Sequence, residues 1–218
     1  AREFKAATNG DVLADISHAA KFRVSGSGAA RKLADLFGSH LPEDGQSTSC
    51  TIYDKRAGIL AVFDVFCAGP TEFVLTSETA TERNHLDLLQ RALAPATDVS
   101  LENLTGRESA LLVSGQGTRA ALTALSRLDV IVMQAEAMDD ASFPVGSGRS
   151  RTVGYAPARV IRTDVFGAPA WEIHVASEFL RHVFLQLSGA LPGLTLIGAR
   201  TLEALRLSAG RPGFTTEL

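Results

Sequence analysis

Val24-Ser25-Gly26-Ser27-Gly28-Ala29-Ala30 is echoed downstream by Val113-Ser114-Gly115-Gln116-Gly117-Thr118-Arg119. Each stretch closes an apolar strand on a Gly-x-Gly turn and opens a helix. Leucines at helical spacing follow both, Leu33 and Leu36 after the first, Leu122 and Leu125 after the second. A second block recurs in the same order. Asp64-Val65-Phe66 returns as Asp164-Val165-Phe166, and Glu72-Phe73-Val74-Leu75 as Glu172-Ile173-His174-Val175. Two blocks in one order point to an internal duplication. The alternative, common strand–turn–helix wording arising twice by chance, stays open at this level.

Working outward, each half reads as strand, Gly turn, helix, two strands, helix. In the first half a strand spans 21–25 and a helix 28–37. Strands at 58–66 and 72–76 make a hairpin around Ala68-Gly69-Pro70. A helix over 81–93 follows, with Leu86, Leu89 and Leu93 on one face. The second half gives a strand at 109–114, a helix at 118–126, strands at 158–165 and 170–175, and a helix at 177–187. The pattern predicts an α+β fold of duplicated β-α-β-β-α units with antiparallel sheets. The pseudo-repeats run over about 15–94 and 100–191, with a terminal helix over about 199–208 and a pseudo-boundary near Pro95. A single intertwined domain over 1–218 is expected.

The 218 residues carry a net charge of −3, so nothing suggests an electrostatic grip on nucleic acid or anionic lipid. At 45% hydrophobic and 21% charged the chain is ordinarily globular, and no apolar run reaches the ~20 residues of a membrane helix. Cys50 and Cys67 make no disulfide framework, which places the chain by default in a reducing cytoplasm. Ala1 in place of an initiating Met is expected of a trimmed chain.

The Gly-x-Gly turns stand where phosphate sites form on helix N-termini, yet neither completes a dinucleotide fingerprint or a P-loop. Tight strand–helix turns are the simpler reading. His18, His40, His85, His174 and His182 include no metal-binding helical pair, and no Cys-x-x-Cys occurs, so no metal is expected. The carboxylates are more informative. Asp64 interrupts an apolar strand, sharing a face with Val62 and Phe66. Glu172 stands between Trp171 and Ile173. Such carboxylates are paired, bind a ligand, or point to solvent from an edge strand. Trp171 is expected in the core or in a pocket wall.

The run Gly198-Ala199-Arg200-Thr201-Leu202-Glu203-Ala204-Leu205-Arg206-Leu207-Ser208-Ala209-Gly210 resembles the Gly-x-x-Ala-x-x-x-Leu-Arg-(Leu/Ile)-Glu-x-Gly segment of the folate-binding aminomethyltransferase family. That family includes the glycine-cleavage T-protein and regions of dimethylglycine and sarcosine oxidoreductases. Asp15-Ile16-Ser17-His18, Ala57-Gly58-Ile59, Phe143-Pro144-Val145-Gly146 and Trp171-Glu172-Ile173 resemble further family elements, in order along nearly the whole chain.

The resemblance implies a T-protein-like fold that binds tetrahydrofolate in a central opening and passes a one-carbon unit to it. The pterin-binding glutamate maps onto Glu172, with Trp171 beside it. The aspartate that the family uses in catalysis falls at Ala61-Val62, where nothing ionises. Asp64 is the candidate substitute, although about 7 Å further along the strand. Glu78 takes the place of an asparagine, Val165 that of a tyrosine, and Ser208 that of the terminal motif's glutamate. The family continues beyond this point into a small barrel, so a partner chain is expected to replace it.

Three functions follow from the resemblance. One is a one-carbon subunit of a complex that demethylates or oxidises methylated amines, with Glu172, Glu78 and Trp171 at the folate, Asp64 as catalytic residue, and a methylated amine or formaldehyde as substrate. Another is a non-catalytic structural subunit without folate binding. The third is a free-standing methyltransferase using a different base.

Overall fold

The computed structural model describes residues 2–38, 40–94, 96–126, 141–164 and 169–217. In chain order α1 (Arg2–Asn9) precedes the first repeat, which holds β1 (Val12–Asp15), β2 (Ala20–Ser25), α2 (Ala29–Phe37), β3 (Ser47–Tyr53), β4 (Ile59–Gly69), β5 (Glu72–Ser77) and α3 (Glu82–Leu93). The second holds β6 (Ser100–Asn103), β7 (Glu108–Ser114), α4 (Thr118–Ser126), β8 (Gly148–Val153), β9 (Ala156–Thr163), β10 (Ala170–Ala176) and α5 (Leu180–Ala190). β11 (Thr195–Leu196) and α6 (Ala199–Ser208) follow. This is the α+β architecture expected from the sequence. Among the described residues every strand pair is antiparallel except β1 with β11.

Two compact units result. One comprises 1–17 and 107–211, the other 18–106 and 212–218. Their sheets run β11-β1-β7-β10-β9-β8 and β3-β4-β5-β2-β6. The lead strand of each repeat is exchanged: β1 precedes β2 in the chain but pairs with β7, and β6 precedes β7 but pairs with β2. Each sheet also has a strand that the sequence reading lacked, β3 and β8. Their sequences, STSCTIY and GRSRTV, are too polar to read as apolar alternation because both are edge strands. The expected strand end at Val165, the repeated Val165-Phe166 and the boundary at Pro95 lie outside the described residues.

In the unit of residues 18–106, Ala61, Phe63, Val65 and Cys67 alternate inward along β4 and meet Leu33 and Phe37 of α2 and Leu89 and Leu93 of α3. Phe22 and Phe37 set their rings edge-on to Phe63, at 6.3 and 6.1 Å between centroids. Burying a ring of this kind stabilises the fold by about 2–3 kcal/mol. In the other unit Trp171, Ile173 and Val175 of β10 pack against Leu122, Val183 and Leu187. The opposite face of that sheet is covered in part by α1 and α6, where Val12, Ala14, Leu112 and Ala170 meet Phe4, Leu202 and Leu205.

The Gly turns have a steric cause. Gly115 takes φ of 136°, and a Cβ there would stand 2.2 Å from Oδ1 of Asp11, the residue before β1. That carboxylate accepts a hydrogen bond from Gly117 N at 2.9 Å, at the start of α4. Gly26 (φ 124°) meets the carbonyl of Asp98, just before β6, in the same way. The start of α4 is therefore served by the protein's own carboxylate.

Candidate functional site

Strand register defines which positions of the two repeats correspond. Trp171 lies opposite Val113 as Phe73 lies opposite Val24. The counterpart of Glu172 is therefore Val74, not Glu72, and that of His174 is Thr76. Across the next strand His174 faces Arg159 as Thr76 faces Asp64. This corrects the second block of the repeat as aligned by residue identity. Bulges in β4 at 67/69 and differing loop lengths shift the register that identity alone suggests.

Glu172 and Trp171, adjacent in sequence, project from opposite faces of β10. Trp171 is wholly buried in the apolar core, with Arg162 over its ring at 6.0 Å. Glu172 lies on the other face, with its side chain 28% exposed. Behind Glu172 runs a polar chain that sequence reading missed. His174, 2% exposed, places Nε2 3.2 Å from Glu172 Oε2 and Nδ1 3.1 Å from Glu108 Oε1. Arg159 Nη2 lies 2.5 Å from the same Glu108 oxygen. Burial pushes the Glu108 carboxyl up, but His174 and Arg159 outweigh it and hold the group at about 2. Among the described residues Oε1 of Glu172 takes no hydrogen bond. The signal that could have found this chain is the alternation Glu172-x-His174 on one strand face. Its partners on β7 and β9 are set only by register.

Asp64 and Glu78 belong to the other unit. Asp64 is exposed on β4, opposite Ser49 and Thr76, on the face away from the core. Burial pushes the nearby Cys50 thiol up, and the Asp64 carboxylate adds to the effect. Ala61, at the family's acidic pair, is fully buried in the core. Glu78 accepts hydrogen bonds from Phe214 N at 2.8 Å, from Thr215 N at 3.2 Å, and from the Thr215 hydroxyl. The Phe214 ring lies tilted against His85, 5.7 Å between centroids, and His85 Nδ1 contacts Ser77 and Thr81. Burial holds the His85 imidazole below its usual range, partly offset by Glu78. Cys50 and Cys67 are both free and buried.

The GCVT N-terminal domain family matches residues 1–218, the whole chain. The chain belongs to this family. It is 30% identical over 208 residues to an aminomethyltransferase of Thermus thermophilus, covering 94% of this chain and 55% of that protein. Human mitochondrial dimethylglycine dehydrogenase is 24% identical over 208 residues, 94% of this chain and 23% of that protein. The chain thus spans about half, or less, of the length of these curated relatives. Among solved structures, the glycine cleavage aminomethyltransferase T of Bartonella henselae superposes with a TM-score of 0.78 at 19% identity, over 97% of this chain and 54% of that one. A chain of heterotetrameric sarcosine oxidase from Corynebacterium sp. U-96 matches with a TM-score of 0.61 at 21% identity, over 83% of each chain. These likenesses establish the fold. Among the described residues no helix is long and apolar enough to cross a membrane. None of their His, Cys, Asp and Glu side chains gather in threes to hold a metal ion.

Proposed function

We propose that this GCVT-family chain binds tetrahydrofolate. We further propose that it works as a cytoplasmic subunit of a complex that demethylates or oxidises methylated amines and hands the one-carbon unit to tetrahydrofolate. Glu172 carries the reading. One of its oxygens is fixed from behind by His174, while the other takes no hydrogen bond among the described residues. Such a carboxylate can accept two N–H donors from an aminopyrimidine edge, a two-point contact that orients the ring. Tetrahydrofolate, when bound, supplies the reduced nitrogen that receives the one-carbon unit.

Trp171 assists from the opposite face, fixing β10 in the core so that Glu172 cannot drift. Asp64, an exposed carboxylate, is assigned to hold a protonated amine or relay its proton. Glu78 is already engaged by Phe214 and Thr215, so we assign it to holding the 212–218 segment rather than to contacting the folate. One observation supports a partner chain: a matched structure, named a heterotetramer, contains a chain of comparable length. The substrate class is a methylated amine, or formaldehyde from its oxidation.

A second reading, a structural subunit without folate binding, is favoured by Ala61 and Val62 at the family's acidic pair. Calorimetric titration with tetrahydrofolate separates the two. Binding by the purified chain or its co-purified complex, abolished by Glu172→Ala, is expected. Absence of heat from both preparations would leave the structural reading standing.

A further inference from the structure

Outside Glu172 itself, the most committed polar construction among the described residues is the line Arg159–Glu108–His174 that ends on it. His174 is almost completely buried and its two ring nitrogens face two carboxylates. An ionised carboxylate only accepts hydrogen bonds, so the contact with Glu108 requires a proton on Nδ1. Arg159 fixes Glu108 in that role, since its guanidinium always donates. The orientation of the ring and the placement of one of its protons are thereby decided from behind. What remains is Nε2, aimed at Glu172 Oε2 at 3.2 Å. A single proton between these two atoms satisfies both. With that proton on Nε2, Glu172 is a charged acceptor whose orientation is locked. Water cannot take over from His174, because the ring is sealed beneath the surface.

We propose that His174, anchored by Glu108 and Arg159, is the positioning residue that keeps Glu172 a fixed, charged acceptor and so sets how tightly it holds a ligand edge bearing two N–H donors. The inference rests on the folate reading of Glu172. It adds to that reading three residues from three strands, none of which needs to touch the ligand. The counterpart positions of the other repeat cannot form such a line: Thr76 replaces His174, Asp64 replaces Arg159, and Val74 replaces Glu172.

Two substitutions of His174 divide its contacts. In His174→Gln the longer amide places an N–H donor near the position of Nε2 and keeps the contact to Glu172. In His174→Asn the shorter amide reaches only the Nδ1 position and keeps the contact to Glu108. Tetrahydrofolate affinity is measured on the full chain, with its co-purifying proteins where present. His174→Asn is expected to weaken binding by about tenfold or more, the worth of one charge-assisted hydrogen bond, and His174→Gln to restore most of it. Equal affinities in Asn, Gln and parent chains would overturn the proposal, as would equal losses in both variants.

A ligand-free measurement keeps the two readings apart. In the 15N spectrum of labelled histidine, Glu172→Gln is expected to move the His174 Nε2 resonance while Nδ1 stays near its parent position. If the parent chain binds no tetrahydrofolate but Nε2 moves, the folate reading fails and the coupling stands. If Nε2 does not move, the coupling itself is wrong.

Discussion

β5 and β10 occupy the same place in the two sheets, and they have diverged on one face only. Facing the helices, Phe73 and Leu75 of β5 correspond to Trp171 and Ile173 of β10, all buried and apolar. On the other face Val74 and Thr76 of β5 stand where β10 carries Glu172 and His174. The core face of a strand is constrained by packing density, so it keeps its character in both copies. The other face can change one side chain at a time, provided each new polar group finds a partner. In β10 that condition is met by Glu108 and Arg159, one on each neighbouring strand. The comparison teaches that the duplicated frame is shared while the candidate chemistry belongs to one copy.

The comparison can be broken most forcefully at the matched core positions. Trp171→Ala and Phe73→Ala should each destabilise the protein by about 3–5 kcal/mol, measured by urea denaturation. If Trp171→Ala instead altered ligand binding at unchanged stability, the shared role of the two core faces would be refuted. A smaller loss is expected at Gly154, in the connection between β8 and β9. It takes φ of 62°, and an added Cβ would stand 2.4 Å from His182 Nε2. Gly154→Ala should cost about 2–3 kcal/mol in the same assay, whereas an unchanged midpoint would mean that His182 yields freely.

Glu108→Gln sharpens the contrast between the polar faces. The folded carboxyl sits at about 2, below its ordinary 4.5, so the fold favours the ionised form. The resulting stability is fully present above about pH 4.5 and is lost as pH falls toward 2. The variant should lose about 1–3 kcal/mol near neutral pH and show a flatter acid limb in urea midpoints. An acid limb identical to the parent's would show that Glu108 is not the group responsible.

The smallest effect concerns the matching connection of the other repeat, between β3 and β4. There Ala57 takes φ of 62°, as Gly154 does between β8 and β9. Ala57→Gly should relieve roughly 1 kcal/mol of left-handed strain and raise the melting midpoint, and a lowered midpoint would contradict it.

Much of the frame was legible because it is local. The Gly turns, the β4–β5 hairpin and the helices α2, α3 and α4 each declare themselves within a dozen or so residues. The lead strands β1 and β6 were not read as strands at all: each is only four residues long, and each pairs with a strand of the other repeat. β3 and β8 hid because an edge strand exposes one side and tolerates Ser, Thr and Arg. Glu172 was visible as a carboxylate between apolar neighbours and took its pterin role from family resemblance, while His174 stood two residues away in plain view. Its partner Glu108 lies 66 residues upstream, and only the β7–β10 register joins them.

The exchanged lead strands also fix an order of events during synthesis. β1 has no antiparallel partner until β7 has been made, more than ninety residues later. At ribosomal speeds of about 5–20 residues per second it waits for several seconds or more as an unpaired strand. The sheet containing β2 needs only β6 for its last edge, so it is complete before β7 begins. The part of the molecule carrying Glu172 is thus the later one to have its strands available, and its closure spans the longer stretch of chain.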